Sequence, residues 1–184
     1  MEADWEMEIG TDAPVIDGAW DGWVNLRSDP GRVAEIGEAV QFPALAESLV
    51  RLNAAHSPVW TAKCDVWPVE SFDPDELDAD RESALAALGC YIDLLATDEA
   101  VFSTLDACAL WSQRLCLKLR SAPLRQCRAD VIVRRAFLTP ESTGLGITTY
   151  ITGCGSDQTE ASEFLARALD LLTESVLGHE RVQL

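Results

Sequence analysis

Residues 84–96 read ALAALGCYIDLLA, and the conformation assigned to this run decides how many strands the fold contains. Its apolar side chains Ala84, Leu85, Leu88, Tyr91, Ile92 and Leu95 recur every three or four positions, the spacing of an amphipathic helix. The preceding FDPDEL supplies a start signal. Asp73 can accept from first-turn amides, Pro74 suits the first helical position, Glu76 can reach back, and Phe72 can staple onto Leu77. On this reading the run is a helix.

Helices are expected on either side as well. Asp29-Pro30 opens a short one to about Val40, and Pro43 begins another carrying Leu45, Leu49 and Leu52. Downstream, Thr97 caps a helix whose face collects Val101, Leu105, Cys108, Ser112, Leu115 and Leu119, widened by Leu110 and Trp111. The last begins at Asp157, with Glu160 completing a capping box, and stops at Gly178.

Three runs read as strands. In Trp60–Val66, Trp60, Ala62, Cys64 and Val66 alternate with Thr61, Lys63 and Asp65, giving one face each. Ala129–Leu138 and Leu145–Thr152 are rich in β-branched residues and are joined by TPESTG, a hairpin loop. The expected class is α+β: a small, largely antiparallel sheet of three strands packed by about five helices. The run GWVNLR at residues 22–27 offers a fourth strand at the edge. No repeat or linker divides the chain. A single domain over residues 29–184 follows an acidic, tryptophan-bearing segment, 1–28, whose first dozen residues are expected to be mobile.

The 184-residue chain carries 31 acidic against 14 basic side chains, a net charge of −17. Such a surface repels phosphates, which argues against direct nucleic-acid binding and fits a basic protein partner. No apolar run approaches the ~20 residues that span a bilayer. The acidic opening MEADWEMEIG lacks the character of a secretory signal, which points to the cytoplasm.

Charge is unevenly laid out. Residues 1–30 hold eight acids and one base, Arg27, whereas Arg114, Lys118, Arg120, Arg125, Arg128, Arg134 and Arg135 face only Asp130 between positions 114 and 135. The arginines can pair with the protein's own acidic helices. Alternatively, Arg125, Arg128, Arg134 and Arg135 can line an anion pocket, or the group can hold the acidic N-terminal arm. Arg134 and Arg135 are consecutive, so in a strand only one faces any given pocket. Trp5, Trp20 and Trp23, with Asp17 and Asp21, are the candidates for partner contact in that arm.

Six cysteines form no CxxC pair. Cys90, Cys108 and Cys116 sit among Leu and Ala in helical patterns, as buried small hydrophobes do. In GCGSD, residues 153–157, Cys154 precedes a helix start that would lower its pKa, although Asp157 and Glu160 compete for that position. If the hairpin closes through a four-residue loop, Cys127 falls opposite Cys154, and Cys64 can join them. Such a cluster could be a redox pair, a catalytic thiol or part of a metal site, but zinc would lack a convincing fourth ligand. The flanking Gly153 and Gly155 are explained by a sharp turn with unusual backbone angles. No phosphate loop or nucleophile elbow is present. His56 reads as a solvated loop residue and His179 as a cap on the last helix.

These features favour a non-enzymatic interaction protein, with no cofactor, whose acidic surface recognises a basic partner, as an immunity protein or charge mimic does. The alternatives are a thiol-dependent or metal-binding enzyme at Cys127 and Cys154, and an anion-binding module on the arginines.

Overall fold

A computed structural model describes residues 1–10, 13–18 and 20–178, and its centre is a long β-hairpin. Strands β5 (Cys127–Thr139) and β6 (Ser142–Gly155) pair antiparallel, with Thr139 opposite Ser142 at the turn. A register shift between Phe137 and Thr139 then leaves Leu138 as an extra residue.

Beside β6 runs β4 (Ala86–Ala96), which in turn pairs with β3 (Val59–Pro68), both antiparallel. On the far side of β5 lie β1 (Glu2–Glu8) and the short β2 (Ile16–Asp17), both parallel to it. The sheet therefore has six strands in mixed orientation, along the order β1-β5-β6-β4-β3. The expectation of a small three-stranded sheet is overturned.

The difference originates in residues 84–96, where a strand and not a helix forms. β4 is a central strand, and Ala87, Gly89 and Leu95 on the face away from the α-helices are buried as well, so the run is near-continuously apolar and its alternation is masked. Leu88, Cys90, Ile92 and Leu94 join the main core, while Leu95 joins a second cluster with Ile16, Ala62 and Ala136. The FDPDEL start signal is real but short. Asp73 accepts from the Asp75 amide at 3.1 Å, and the single 3-10 turn Pro74–Leu77 ends at Asp78, whose φ is 52°. The N-terminal segment also differs from expectation. Residues 2–8 form a strand, and GWVNLR lies in turns instead of the sheet edge.

Four α-helices stand with the sheet: α1 (Gly37–Gln41), α2 (Pro43–Leu52), α3 (Leu105–Ser121) and α4 (Gln158–Leu177). Thr104, in place of the expected Thr97, caps α3 by accepting from the Ala107 amide at 3.1 Å. The buried stripe of α3 is Cys108, Trp111, Ser112, Leu115, Cys116 and Leu119, close to the one expected. Asp157 caps α4 through the Thr159 and Glu160 amides, and the Glu160 carboxylate reaches back to the Ser156 amide at 2.7 Å. At the other end Lys118 Nζ donates to the Gly178 carbonyl at 2.7 Å.

α4 packs directly on β6 through the two glycines of GCG. A Cβ on Gly153 would stand 2.4 Å from the Leu165 amide nitrogen, and one on Gly155 would stand 2.8 Å from that of Ala161. Both glycines lie within the strand, so they serve close helix approach and not an unusual turn.

The outer edge of β3 is blunted. Trp23 Nε1 donates to the Thr61 carbonyl and Trp20 Nε1 to the Ala62 carbonyl, each at 3.2 Å. Asp65 accepts from the Val66 amide at 2.7 Å, and Pro68 has no amide to offer.

Two substitutions test the seat of α4. Gly153→Ala should lower urea-denaturation stability by about 1–3 kcal/mol through overpacking. Gly37→Ala, where a methyl meets nothing within 4 Å, should leave stability level or raise it by a few tenths of a kcal/mol.

Candidate functional site

The helices cover one face of the sheet, and the strand registers define what lies on the other. Cross-strand rows there run Asp4-Asp130-Tyr150-Tyr91-Asp65 and, one step along, Glu6-Ile132-Thr148-Asp93. A further row holds Glu2, Arg128, Thr152, Gly89 and Trp67. Every residue of β1 on this face is acidic: Glu2, Asp4, Glu6 and Glu8.

β3 delivers Trp67 to this face because of a bulge. Between the pairs Thr61–Leu94 and Cys64–Ile92, Ala62 and Lys63 stand against the single Asp93. Beyond the bulge the faces exchange: Cys64 and Val66 pack on the main core, and Lys63, Asp65 and Trp67 point the other way. The expected single face of Trp60, Ala62, Cys64 and Val66 is therefore split.

Trp67 lies against bare Gly89, where a Cβ would stand 2.8 Å from the indole. Its ring meets Tyr91 and Tyr150 at centroid separations of 6.2 and 6.4 Å, and the two tyrosines are 5.9 Å apart. All three side chains are half-buried. Burial, aided by Asp93, pushes the Tyr91 hydroxyl up to about 12, so it stays a donor at neutral pH.

A polar chain borders the aromatic group. Arg134 donates to Glu8 at 2.6 Å, to the Tyr150 hydroxyl at 3.1 Å and to Thr148 Oγ1 at 3.3 Å. Thr148 Oγ1 in turn donates to Asp93 Oδ1 at 2.6 Å. Asp93 is only 5 % exposed. Burial raises its carboxyl above the ordinary 3.8, against the lowering influence of Thr148, Arg134 and Lys63.

The other arginines are also engaged. Arg128 pairs with Asp130 at 2.7 Å and Asp4 at 3.2 Å, and Arg120 also reaches Asp4. Arg125 grips Asp78 with two nitrogens, at 2.9 and 3.1 Å. Arg135 alternates with Arg134, points to the opposite face and is engaged too. The anion-pocket candidates are thus spread over separate ion pairs, to which the acidic arm contributes Asp4 for Arg128 and Glu8 for Arg134.

The thiols do not converge. The bulge at Leu138 places Cys127 opposite Gly153, one residue from the expected Cys154. A one-residue slip exchanges faces. Cys127 lies under α4, where its thiol donates to the Phe164 carbonyl at 3.4 Å. Cys154 lies on the other face with Leu77, Ala84 and Ala87. Cys64 is half-buried beside Trp20, Glu38 and Lys63 in a cleft of about 240 Å³. Burial comes first in pushing Cys64 and Cys127 up to about 12 and Cys154 up to about 11. For Cys154 this opposes the activation its position suggested. No cluster of three metal-ligating side chains occurs among the described residues.

Of the partner-contact candidates, Trp5 is 36 % exposed on β1, whereas Trp20 and Trp23 are pinned to β3. Asp17 belongs to β2, and Asp21 is exposed in a turn. His56 is exposed ahead of β3, and His179 lies outside the described residues. The sequence does not reveal the aromatic group, because the spacing around Tyr91 fits a helix. The alternation around Tyr150 was its one available signal. No protein-family model, curated protein or solved structure matches the chain.

Asp93 makes stability depend on pH. Its folded pKa exceeds the unfolded one, so its favourable contribution is complete below about 3.8 and is lost as pH rises through the folded value. Asp93→Asn, which keeps an acceptor for Thr148, should therefore melt higher than the parent at pH 7 and level with it at pH 3. Equal melting at both pH values would remove the buried carboxylate as the cause.

Native-state alkylation tests the thiols. Mass mapping should show Cys127 and Cys154 labelled at least about tenfold more slowly than in the denatured chain.

Proposed function

We propose that the chain is a non-enzymatic interaction protein that binds a basic protein partner on the uncovered face of its sheet. The observation that carries this reading is the half-exposed group Trp67, Tyr91 and Tyr150 set among carboxylates on a face that none of the four α-helices covers. Aromatic side chains of this kind, partly desolvated and held in place, are where interfaces concentrate binding energy. Here β4 and β6 hold the tyrosines, and Gly89 seats the tryptophan.

Charge supports a basic partner. The face carries Glu2, Asp4, Glu6, Glu8, Asp65, Asp93 and Asp130 against Lys63, Arg128 and Arg134. Those bases are already directed at neighbours: Arg128 and Arg134 at carboxylates, and Lys63 at the Trp20 ring, 5.5 Å from its centroid. What remains to meet an incoming surface is acidic, and that favours fast, salt-sensitive association with a cationic one. The reading places the protein in the cytoplasm, where its six free thiols stay reduced. No helix among the described residues is long and apolar enough to cross a membrane.

The test is affinity capture from native extract at low and high salt, repeated with Trp67→Ala and Tyr150→Ala after each has been shown to fold. The expected partner is basic and releases as salt rises, and each substitution weakens binding by about 2 kcal/mol, near thirtyfold. Retention that ignores salt and both substitutions would refute the reading.

A further inference from the structure

The two edges of the sheet are treated differently. On β3, two indoles, a carboxylate and a proline occupy or remove the outward backbone groups. β1 has none of these devices. Its seven residues, Glu2–Glu8, pair with β5 without a register shift and contain no proline. Residues 4–8 are all exposed. Among the described residues, only β5 bonds to the backbone of this strand, and it does so along one side. An exposed, regular edge of this length is a template for another strand.

Side chains decide which strand fits. Ala3, Trp5 and Met7 lie on the helix side, with Trp5 36 % and Met7 38 % exposed. On the other side are four carboxylates, of which Asp4 and Glu8 are held by Arg120, Arg128 and Arg134. Glu2 and Glu6 make no ion pair among the described residues. A second copy of β1 paired antiparallel is a poor occupant, because it sets carboxylates against carboxylates across the new ladder. A strand alternating basic and apolar residues satisfies both sides at once.

We propose that β1 is a docking rail on which an extended segment of the basic partner adds to the sheet as a further strand, its lysine or arginine side chains over Glu2 and Glu6 and its apolar ones over Trp5 and Met7. This rests on the basic-partner reading above and gives it a geometry. The backbone ladder supplies affinity, and the alternation supplies register.

The experiment compares two heptapeptides of identical composition, one alternating lysine and valine, the other with its lysines and valines in separate blocks. Binding to the full chain is titrated at low salt, and amide exchange is followed by mass spectrometry over residues 1–10. The alternating peptide should bind at least about tenfold more tightly and slow exchange in β1. Glu2→Lys combined with Glu6→Lys, which leaves the arginine-held Asp4 and Glu8 in place, should abolish that preference. Equal binding of both peptides with unchanged β1 exchange overturns strand docking while leaving the basic-partner reading intact. Failure of both peptides to bind overturns docking too, and the extract experiment then judges the broader reading alone. A concentration-dependent dimer that protects β1 by itself would replace the basic strand with a second copy and so also overturn the proposal.

Discussion

The seat of α4 on β6 is the contact on which the rest of the molecule is arranged. Two positions without side chains bring the helix backbone down onto the strand. From there Leu165, Ala168, Leu169 and Leu172 reach the core, where they meet α2, α3 and the inward residues of β4 and β5. With the helices committed to that side, the opposite face is left to its own side chains. It uses aromatics and charged groups that can be half-buried without a covering layer, since rings shield their neighbours and arginine stems lie along apolar surface.

That uncovered face is more ordered than a merely solvated one. Thr148 accepts from Arg134 while donating to Asp93, so one hydroxyl orients groups from three strands. Trp67 is held by a missing side chain at Gly89 and by two tyrosines. Groups positioned in this way lose little freedom when something binds to them, and preorganisation of that kind is a large part of binding affinity.

What could be read in the sequence followed from how local its cause was. α4 is legible through its cap, α3 through its periodicity although not its cap, and the β5–β6 hairpin through its turn residues, each signal lying within a few positions. β4 is not, because burial on both sides comes from strands and helices distant in sequence, and the pattern left behind fits a helix equally well. The bulges at Ala62-Lys63 and at Leu138 belong to the ladder and have no residue signature here, yet each reverses every side chain beyond it. One of them separated Cys127 from Cys154. β1 was hidden differently. EADWEME alternates cleanly, but Glu, Asp and Ala are poor strand formers, and the arginines that compensate them lie far along the chain. The charge asymmetry of arm and arginine window was legible from the start, and the parallel pairing of β1 with β5 is its structural meaning.

That pairing also shapes how the chain assembles. β3 to β6 and the helices between and after them come from one contiguous stretch, residues 59–177. The Glu8–Arg134 bond, by contrast, spans 126 positions and closes a far larger loop. Closing a loop of that length costs chain entropy before the contact repays it, so such pairings slow folding. When β1 lifts away, Arg128 and Arg134 lose their partners on it. The opened form of this strongly acidic protein thus bares the guanidinium of Arg134, while Arg128 keeps Asp130 as its partner.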